Sequence, residues 1–193
     1  MIITEPKWKS WIVETTTPLF TPEQCQKIID AGRRQKPQQA QVGMNKPSGG
    51  IDTKKRTTTI SWLPFKEMEP MYNDINQFIQ KANKNHFGFG DIKITEQAQF
   101  TEYPEGGFYD WHMDTDVNMQ YEPPVRKISM TLLLSPEDQF EGGDLELMAP
   151  GKRANMKQGH AIIFASFLNH RVAPVTKGVR QSLVMWFGGD PFK

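Results

Sequence analysis

Short apolar segments separated by glycine and proline fill the chain from about residue 91 onward, and they constrain its fold more than any other feature. Within the segments apolar and polar residues tend to alternate, which is typical of strands with one buried face. The segments span residues 93–103, 108–114, 126–135, 143–148, 160–167, 170–175 and 179–187. Short strands at this spacing predict a β-sandwich or a barrel.

Two helical segments precede these strands. Thr21 is a suitable N-cap, proline follows it, and Gln24 completes a capping box, so a helix is predicted from Pro22 to about Arg34. Apolar residues return at helical spacing over 66–84, which predicts a second helix. A segment with strand character, 57–63, lies between them.

Because the helices come before the strands instead of alternating with them, we expect them to pack on one face of an antiparallel double sheet. The predicted class is therefore α+β, mainly β. We expect one domain over 1–193, in which a helical part, 1–90, supports a strand core, 91–193.

Charge and cysteine content narrow the possible partners. Lysine and arginine number 23 against 22 aspartates and glutamates, so the net charge of +1 gives no field that would gather nucleic acid or an anionic membrane. Cys25 is the only cysteine and cannot form an internal disulfide, which indicates a reducing compartment. No apolar run is long enough for a signal peptide or a membrane span, so a cytoplasmic location is expected.

The pair His112 and Asp114 is the first candidate for chemistry. Residues two apart on a strand share a face, so both side chains could bind one metal ion. The alternative is an ordinary hydrogen-bonded surface pair. His170, between two apolar segments, would supply a third ligand, and two histidines with one carboxylate form the facial triad that suits Fe(II) and oxygen chemistry.

A candidate anion site follows the last histidine. Strict alternation over 180–187 places Arg180, Ser182 and Trp186 on one face of the strand. A guanidinium beside a hydroxyl suits a charge-assisted contact with a carboxylate. The alternative is an arginine paired with an acidic side chain at the surface.

These features occur in an order that identifies a family. Residues 103–114 read Tyr-Pro-Glu-Gly-Gly-Phe-Tyr-Asp-Trp-His-Met-Asp, a Gly-Gly-Asp-Leu turn follows at 142–145, and His170 and Arg180 close the series. The region 96–189 resembles the Fe(II)- and 2-oxoglutarate-dependent oxygenases, in particular the prolyl 4-hydroxylase-like branch. The resemblance implies a double-stranded β-helix, or jelly-roll, core with the N-terminal helices packed on one sheet.

The same resemblance assigns roles to residues. It implies that His112, Asp114 and His170 bind Fe(II), and that Arg180 and Tyr103 bind the distal (C5) carboxylate of the cosubstrate 2-oxoglutarate. Further residues are expected at the pocket wall or near the substrate, namely Ser182 and Trp186 beside the cosubstrate, and Tyr109, Arg56 and Asp116 beside the substrate. Core packing is the alternative reading for Trp186 and Tyr109.

The implied reaction consumes O2 and 2-oxoglutarate, releases succinate and CO2, and hydroxylates an unactivated C–H bond, with ascorbate in support. A prolyl residue in a peptide or protein, as for procollagen-proline 4-dioxygenase, is the favoured substrate, and the polar segments 36–55 and 115–125 could clamp such a chain. Arg180 departs from the collagen-type enzymes, which have lysine there, and resembles the oxygen-sensing and bacterial branches. Free proline or another small amino acid is an alternative substrate, and a non-catalytic cupin-like or jelly-roll metal-binding module is an alternative function. The sequence does not predict an oligomeric state.

Overall fold

The computed structural model describes residues 10–39, 55–115, 124–149, 151 and 153–191. The helices and strands in these residues are, in chain order, β1 Ile12–Glu14, α1 Pro22–Arg34, β2 Gln38–Gln39, β3 Arg56–Thr57, β4 Thr59–Leu63, α2 Glu69–Ala82, β5 Lys93–Ile94, β6 Ala98–Tyr103, β7 Phe108–His112, β8 Val125–Leu133, β9 Phe140–Gly142, β10 Leu145–Leu147, β11 Ala161–Ala165, β12 His170–Val172, β13 Val175–Gly178 and β14 Arg180–Gly189. A π-helical turn, Asn83–Phe87, extends α2, and a 3-10 turn, Glu137–Gln139, precedes β9.

Helix α1 has the predicted bounds because its N-terminus is capped as the sequence indicates. The Gln24 amide donates to the Thr21 hydroxyl at 3.3 Å, and the Gln24 side chain accepts from the Thr21 amide at 2.9 Å. Helix α2 begins at Glu69, later than the predicted residue 66. Pro70 lies in its first turn, where the missing amide hydrogen costs nothing, and an earlier start would place that proline deeper in the helix.

Gly32 sets the distance between α1 and the sheet beneath it. A Cβ atom on Gly32 would lie 2.3 Å from the Phe100 ring, so only glycine lets the helix approach β6 so closely. The hydroxyl of Ser61 on β4 donates to the Gly32 carbonyl at 2.7 Å and fastens the end of the helix to the sheet.

Two main antiparallel sheets form the core. The larger has the order β1-β11-β8-β14-β6-β4-β2, with β5 paired to β14, and the smaller has the order β10-β12-β7-β3. Strands β13 and β9 form a separate pair. Antiparallel pairing links every neighbouring pair of strands, and the mainly β, jelly-roll fold expected from the sequence is confirmed.

Alternation along the strands builds two hydrophobic clusters. On β11, Ala161 and Ile163 join the cluster that the helices cover, whereas Ile162 and Phe164 join the cluster between the two sheets. On β14, Leu183, Met185 and Phe187 face the helices, whereas Arg180, Ser182 and Trp186 face the space between the sheets. One face of the larger sheet therefore packs against the helices, and its other face lines the space between the two sheets.

Several predicted strands are divided. The segment 93–103 contains β5 and β6, and 170–175 breaks at Pro174, which has no amide hydrogen to donate to a ladder. The segment 57–63 begins one residue earlier and divides at Thr58, so that β3 joins the smaller sheet and β4 the larger. The residues before 91 thus supply strands to both sheets as well as two helices.

No helix in the described part of the chain combines the length and apolar character needed to cross a bilayer.

Candidate metal centre and adjoining anion pocket

Two histidines and one aspartate converge between the sheets. His112 ends β7 and His170 begins β12, and the two residues are direct Cα partners in the smaller sheet. Asp114 Oδ1 lies 3.6 Å from His112 Nε2, and Asp114 Oδ2 lies 3.5 Å from His170 Nε2. The three candidate ligand atoms all lie within 4.8 Å of one another, a separation that suits a single metal ion.

Asp114 is held in this position by hydrogen bonds that the sequence did not predict. Strand β7 ends at His112, because its partner β12 begins at His170 and offers nothing further to pair with. The predicted strand end at residue 114 is therefore wrong. The Asp114 amide instead donates to the Ser166 carbonyl at 2.9 Å, and the Ser129 hydroxyl donates to Asp114 Oδ2 at 2.6 Å.

Both imidazole rings are oriented for metal binding. His112 Nδ1 lies 2.7 Å from the Asp110 carbonyl, and His170 Nδ1 lies 2.9 Å from the Leu168 carbonyl. A carbonyl oxygen only accepts, so each Nδ1 carries the hydrogen and each Nε2 lone pair faces the other ligands.

The electrostatics of the site keep His112 and Asp114 deprotonated. Burial and the neighbouring His170 lower the pKa of His112 to about 3. Burial alone would raise the pKa of Asp114, but attraction to His170 and His112 outweighs it and lowers that pKa to about 2. At neutral pH the site therefore presents a neutral imidazole at His112 and a carboxylate at Asp114, the forms in which these groups bind metals.

A β-bulge turns Tyr109 toward the candidate metal site. His112 opposes His170 and Tyr109 opposes Val172, so three steps along β7 match two along β12. Residues three apart on a regular strand face opposite sides, but the extra residue returns Tyr109 to the face of His112, where the two rings stack at 3.5 Å. Burial raises the pKa of Tyr109 to about 12, so its phenol is protonated at neutral pH.

Arg56 lies against this tyrosine. The two residues are Cα partners, and the guanidinium lies 4.3 Å from the centre of the Tyr109 ring. Its Nη2 donates to Gln99 Oε1 at 3.0 Å, whereas its buried Nε has no hydrogen-bond partner among the described residues. The wall beside the candidate metal site therefore contains a buried cation with one donor, Nε, that no described residue engages.

Arg180 is the centre of the adjoining anion pocket. Its side chain is 1% exposed and bonds the Ser182 hydroxyl at 3.1 Å and Met156 Sδ at 3.6 Å. No carboxylate of the described residues lies within ion-pair distance of it, and burial lowers the pKa of the guanidinium. Because an unpaired buried charge is costly, this arrangement fits an anionic ligand.

Tyr103 and Gly143 lie against Arg180. Tyr103 is its Cα partner, with the ring centre 5.4 Å from the guanidinium carbon. Gly143 has a φ of +66°, and a Cβ atom there would lie 2.8 Å from Arg180 Cδ, so glycine at this turn makes space for the arginine.

Two further buried donors on the same side of the larger sheet lack partners. Thr101 Oγ1 and Trp186 Nε1 are buried and make no hydrogen bond with any described residue. Thr101 is the Cα partner of Ser182, and Trp186 is the Cα partner of Ser129. Buried polar groups are normally satisfied, so these atoms also fit a polar ligand between the sheets. The residues present thus suit Fe(II) at the triad and a dicarboxylate such as 2-oxoglutarate beside it.

Arg126 fixes the ring of Trp186. Its guanidinium lies 3.8 Å from the ring centre and donates twice to Glu96 Oε1, at 2.8 and 2.6 Å. Charge and stacking together hold the indole in one orientation toward the pocket.

Nine of the ten residues expected at the site from the sequence lie among the described residues. The contacts above place Tyr109 and Arg56 beside the triad, Tyr103 and Ser182 beside Arg180, and Trp186 opposite Ser129. The tenth, Asp116, lies outside the described residues, as do 40–54 of the predicted loop 36–55 and 116–123 of the predicted loop 115–125. Nothing in the sequence motif predicted Ser129, Ser166, Gln99 or the Arg126–Glu96 pair at the site. One signal was present, since polar Ser129 and Thr131 alternate with apolar residues on β8 and mark an inward face that is polar.

The comparisons with known proteins agree with this geometry. Residues 98–188 match the family described as the 2OG-Fe(II) oxygenase superfamily. The chain is 36% identical over 96 residues to a PKHD-type hydroxylase of Idiomarina loihiensis, an alignment that covers 49% of this chain and 43% of that protein. The chain thus spans less than half the length of this curated relative.

Two solved structures are similar in fold. A prolyl-4-hydroxylase of Pseudomonas putida aligns with a TM-score of 0.70 at 19% identity, covering 94% of each chain. A prolyl hydroxylase of Trichoplax adhaerens, in complex with a peptide fragment of the hypoxia inducible factor oxygen degradation domain, aligns with a TM-score of 0.68 at 16% identity, covering 93% of this chain and 84% of that one. At these identities the likeness concerns the fold alone.

Proposed function

From the chain's membership of the 2OG-Fe(II) oxygenase superfamily, which rests on residues 98–188, we propose that it is an Fe(II)- and 2-oxoglutarate-dependent dioxygenase. The observation that carries the proposal is the buried Arg180, which forms no ion pair with a described carboxylate. It contacts Tyr103, whose buried cluster packs against Tyr109, the residue stacked on His112 of the two-histidine, one-carboxylate triad. A metal-binding module without a cosubstrate has no need of such a buried cation.

The proposed roles follow from position. His112, Asp114 and His170 would hold Fe(II), which, when bound, supplies the centre at which O2 and 2-oxoglutarate react. Arg180 binds the distal carboxylate of 2-oxoglutarate through charge-assisted hydrogen bonds, with Tyr103 donating from the facing strand. Ser182 orients the guanidinium through its hydrogen bond at 3.1 Å.

Trp186 closes the cosubstrate pocket, held in place by Arg126. A pocket closed in this way keeps water from the reacting centre, which favours attack on the substrate over side reactions.

We propose a prolyl residue of a peptide or protein as the substrate. The Pseudomonas and Trichoplax structures with which the fold agrees are those of prolyl hydroxylases, the latter bound to a peptide. Tyr109 and Arg56 form a wall beside the triad where a substrate backbone can lie, and Asp116 and the segments 36–55 and 115–125 are the proposed clamp. Hydroxylation of free proline is the alternative within the same chemistry.

Other parts of the proposal rest on the sequence. Ascorbate is the expected supporting reductant, the single cysteine supports a reducing compartment and with it a cytoplasmic location, and one domain over 1–193 is expected. Within the proposed class of prolyl substrates, a procollagen-like peptide is the more specific proposal.

The substrate proposal is tested by mass spectrometry. Purified protein with Fe(II), 2-oxoglutarate and ascorbate in air is incubated with a panel of proline-containing peptides, with the same peptides carrying alanine for proline, and with free proline. We expect one or more proline peptides to gain one oxygen atom while their alanine counterparts stay unchanged. Oxygen gain by free proline alone would contradict the peptide proposal in favour of the small-molecule alternative.

Arg56→Met tests the substrate wall. Loss of a charge-assisted hydrogen bond costs about 1.5–3 kcal/mol, so we expect KM for the hydroxylated peptide to rise about tenfold to a hundredfold. The affinity for 2-oxoglutarate should stay unchanged, because Arg56 and Arg180 are separate cations. Arg33→Met, at an exposed ion pair with Glu102, is the matched control. An unchanged KM in Arg56→Met would remove Arg56 from the substrate site.

A further inference from the structure

A pair of buried serines lies behind Asp114 and has no role in the function proposed so far. Ser129 and Ser166 are both 0% exposed, and their hydroxyl oxygens lie 2.9 Å apart. Ser129 also donates to Asp114 Oδ2 at 2.6 Å, within the range of hydrogen bonds to charged acceptors. Two consecutive hydrogen bonds therefore link Ser166 to Ser129 and Ser129 to Asp114, a candidate metal ligand.

Asp114 determines which hydroxyl donates in each of these two hydrogen bonds. Asp114 is a carboxylate and only accepts, so the single hydroxyl proton of Ser129 goes to Oδ2. Ser129 Oγ can then only accept from its neighbour, and Ser166 must donate to it. Hydrogen bonds aligned head to tail polarise one another, which strengthens the bond to the carboxylate.

Ser166 also holds the main chain of the same segment. Its carbonyl accepts from the amides of Asp114 at 2.9 Å and Thr115 at 3.0 Å. The segment needs this support because β7 has already ended at His112. Ser166 thus fixes both the backbone and, through Ser129, the side chain of Asp114.

We propose that Ser129 and Ser166 are positioning residues that make Asp114 a one-oxygen ligand. A carboxylate can bind a metal through one or both oxygens. With both oxygens bound, the triad would occupy four positions of an octahedral ion and leave too few for 2-oxoglutarate and O2 together. With Oδ2 held by Ser129, Oδ1 is the oxygen offered, and three positions stay open, as facial-triad chemistry requires.

The inference rests on the proposed function and is tested with Co(II), which replaces Fe(II) as a probe without turnover. Partners behind a ligand typically contribute about tenfold to a hundredfold in metal affinity, so we expect Ser129→Ala to bind Co(II) more weakly by about that factor. Ser166→Ala, which removes only the relayed hydrogen bond, should lose less. The visible spectrum of Co(II)-loaded Ser129→Ala should also change, because the number of bound oxygens changes.

Two variants separate positioning from mere stability. Ser129→Thr keeps the hydroxyl and is expected to restore Co(II) affinity and spectrum. Ser61→Ala removes another buried serine hydrogen bond, to the Gly32 carbonyl, and should lower the Tm while leaving Co(II) affinity at the wild-type value.

The outcomes distinguish this inference from the function on which it rests. Wild-type Co(II) affinity and spectrum in both Ser129→Ala and Ser166→Ala would overturn the positioning role and leave the oxygenase proposal intact. Wild-type protein that binds neither Co(II) nor Fe(II) would overturn both.

Discussion

Arg180→Met is expected to weaken binding of 2-oxoglutarate by about a hundredfold or more while leaving the ligand-free protein at least as stable as the wild type. The guanidinium is buried and has no ion pair with a described carboxylate, so in the ligand-free protein its charge is a cost. Methionine has a similar length and no charge, and it removes that cost. If Arg180 served only to stabilise the fold, Arg180→Met would instead lower the Tm of the ligand-free protein.

The size of the binding effect follows from the loss of one partner of a buried charge pair, which costs about 3–5 kcal/mol. That range corresponds to a loss of about a hundredfold to several thousandfold in affinity. Calorimetric titration of 2-oxoglutarate into Co(II)-loaded protein measures it. Thermal unfolding provides a second readout, since a ligand that binds only the folded state raises the Tm of the wild type and should not raise that of Arg180→Met.

Arg33→Met serves as the control here as well, because its ion pair with Glu102 lies at the surface. We expect it to bind 2-oxoglutarate like the wild type. An Arg180→Met protein that binds 2-oxoglutarate with wild-type affinity would show that the anion pocket is misassigned.

His170→Ala is expected to reduce Fe(II)-dependent succinate formation to the background of the assay. The variant leaves only two of the three candidate ligands, His112 and Asp114. Two ligands do not fix a metal ion in the orientation that the reaction needs. Turnover of 2-oxoglutarate is measured as succinate, and bound metal is measured after gel filtration.

His160→Ala is the matched control for this variant. His160 Nδ1 contacts the Thr15 carbonyl at 2.9 Å and lies outside the triad, so its loss should affect stability alone. Equal succinate formation by His170→Ala and wild type would show that the triad is not the metal site.

The sequence was sufficient to predict the features that depend only on residues close together in the chain. The capping box at Thr21 determines the start of α1, and period-two alternation on β14 correctly placed Arg180, Ser182 and Trp186 on the inner face. In these cases a residue's own neighbours decide its conformation, so the pattern and the structure agree.

Other features depend on contacts between distant segments and could not be predicted. His112 and Asp114 do converge, but the predicted reason, a shared strand face, does not hold, since Ser166 and Ser129 position Asp114 after the strand has ended. Tyr109 faces the candidate metal site only because a bulge shifts its register against β12. Neither the bulge nor the serine pair leaves a signature in the spacing of the motif.

Succinate formation by the purified wild-type protein shows whether the chain couples Fe(II) to 2-oxoglutarate. We expect succinate to form with Fe(II) and O2, to stop forming when a chelator removes the metal, and not to form with Zn(II), which has no redox chemistry. Absence of both 2-oxoglutarate binding and succinate formation with freshly supplied Fe(II) would contradict that coupling.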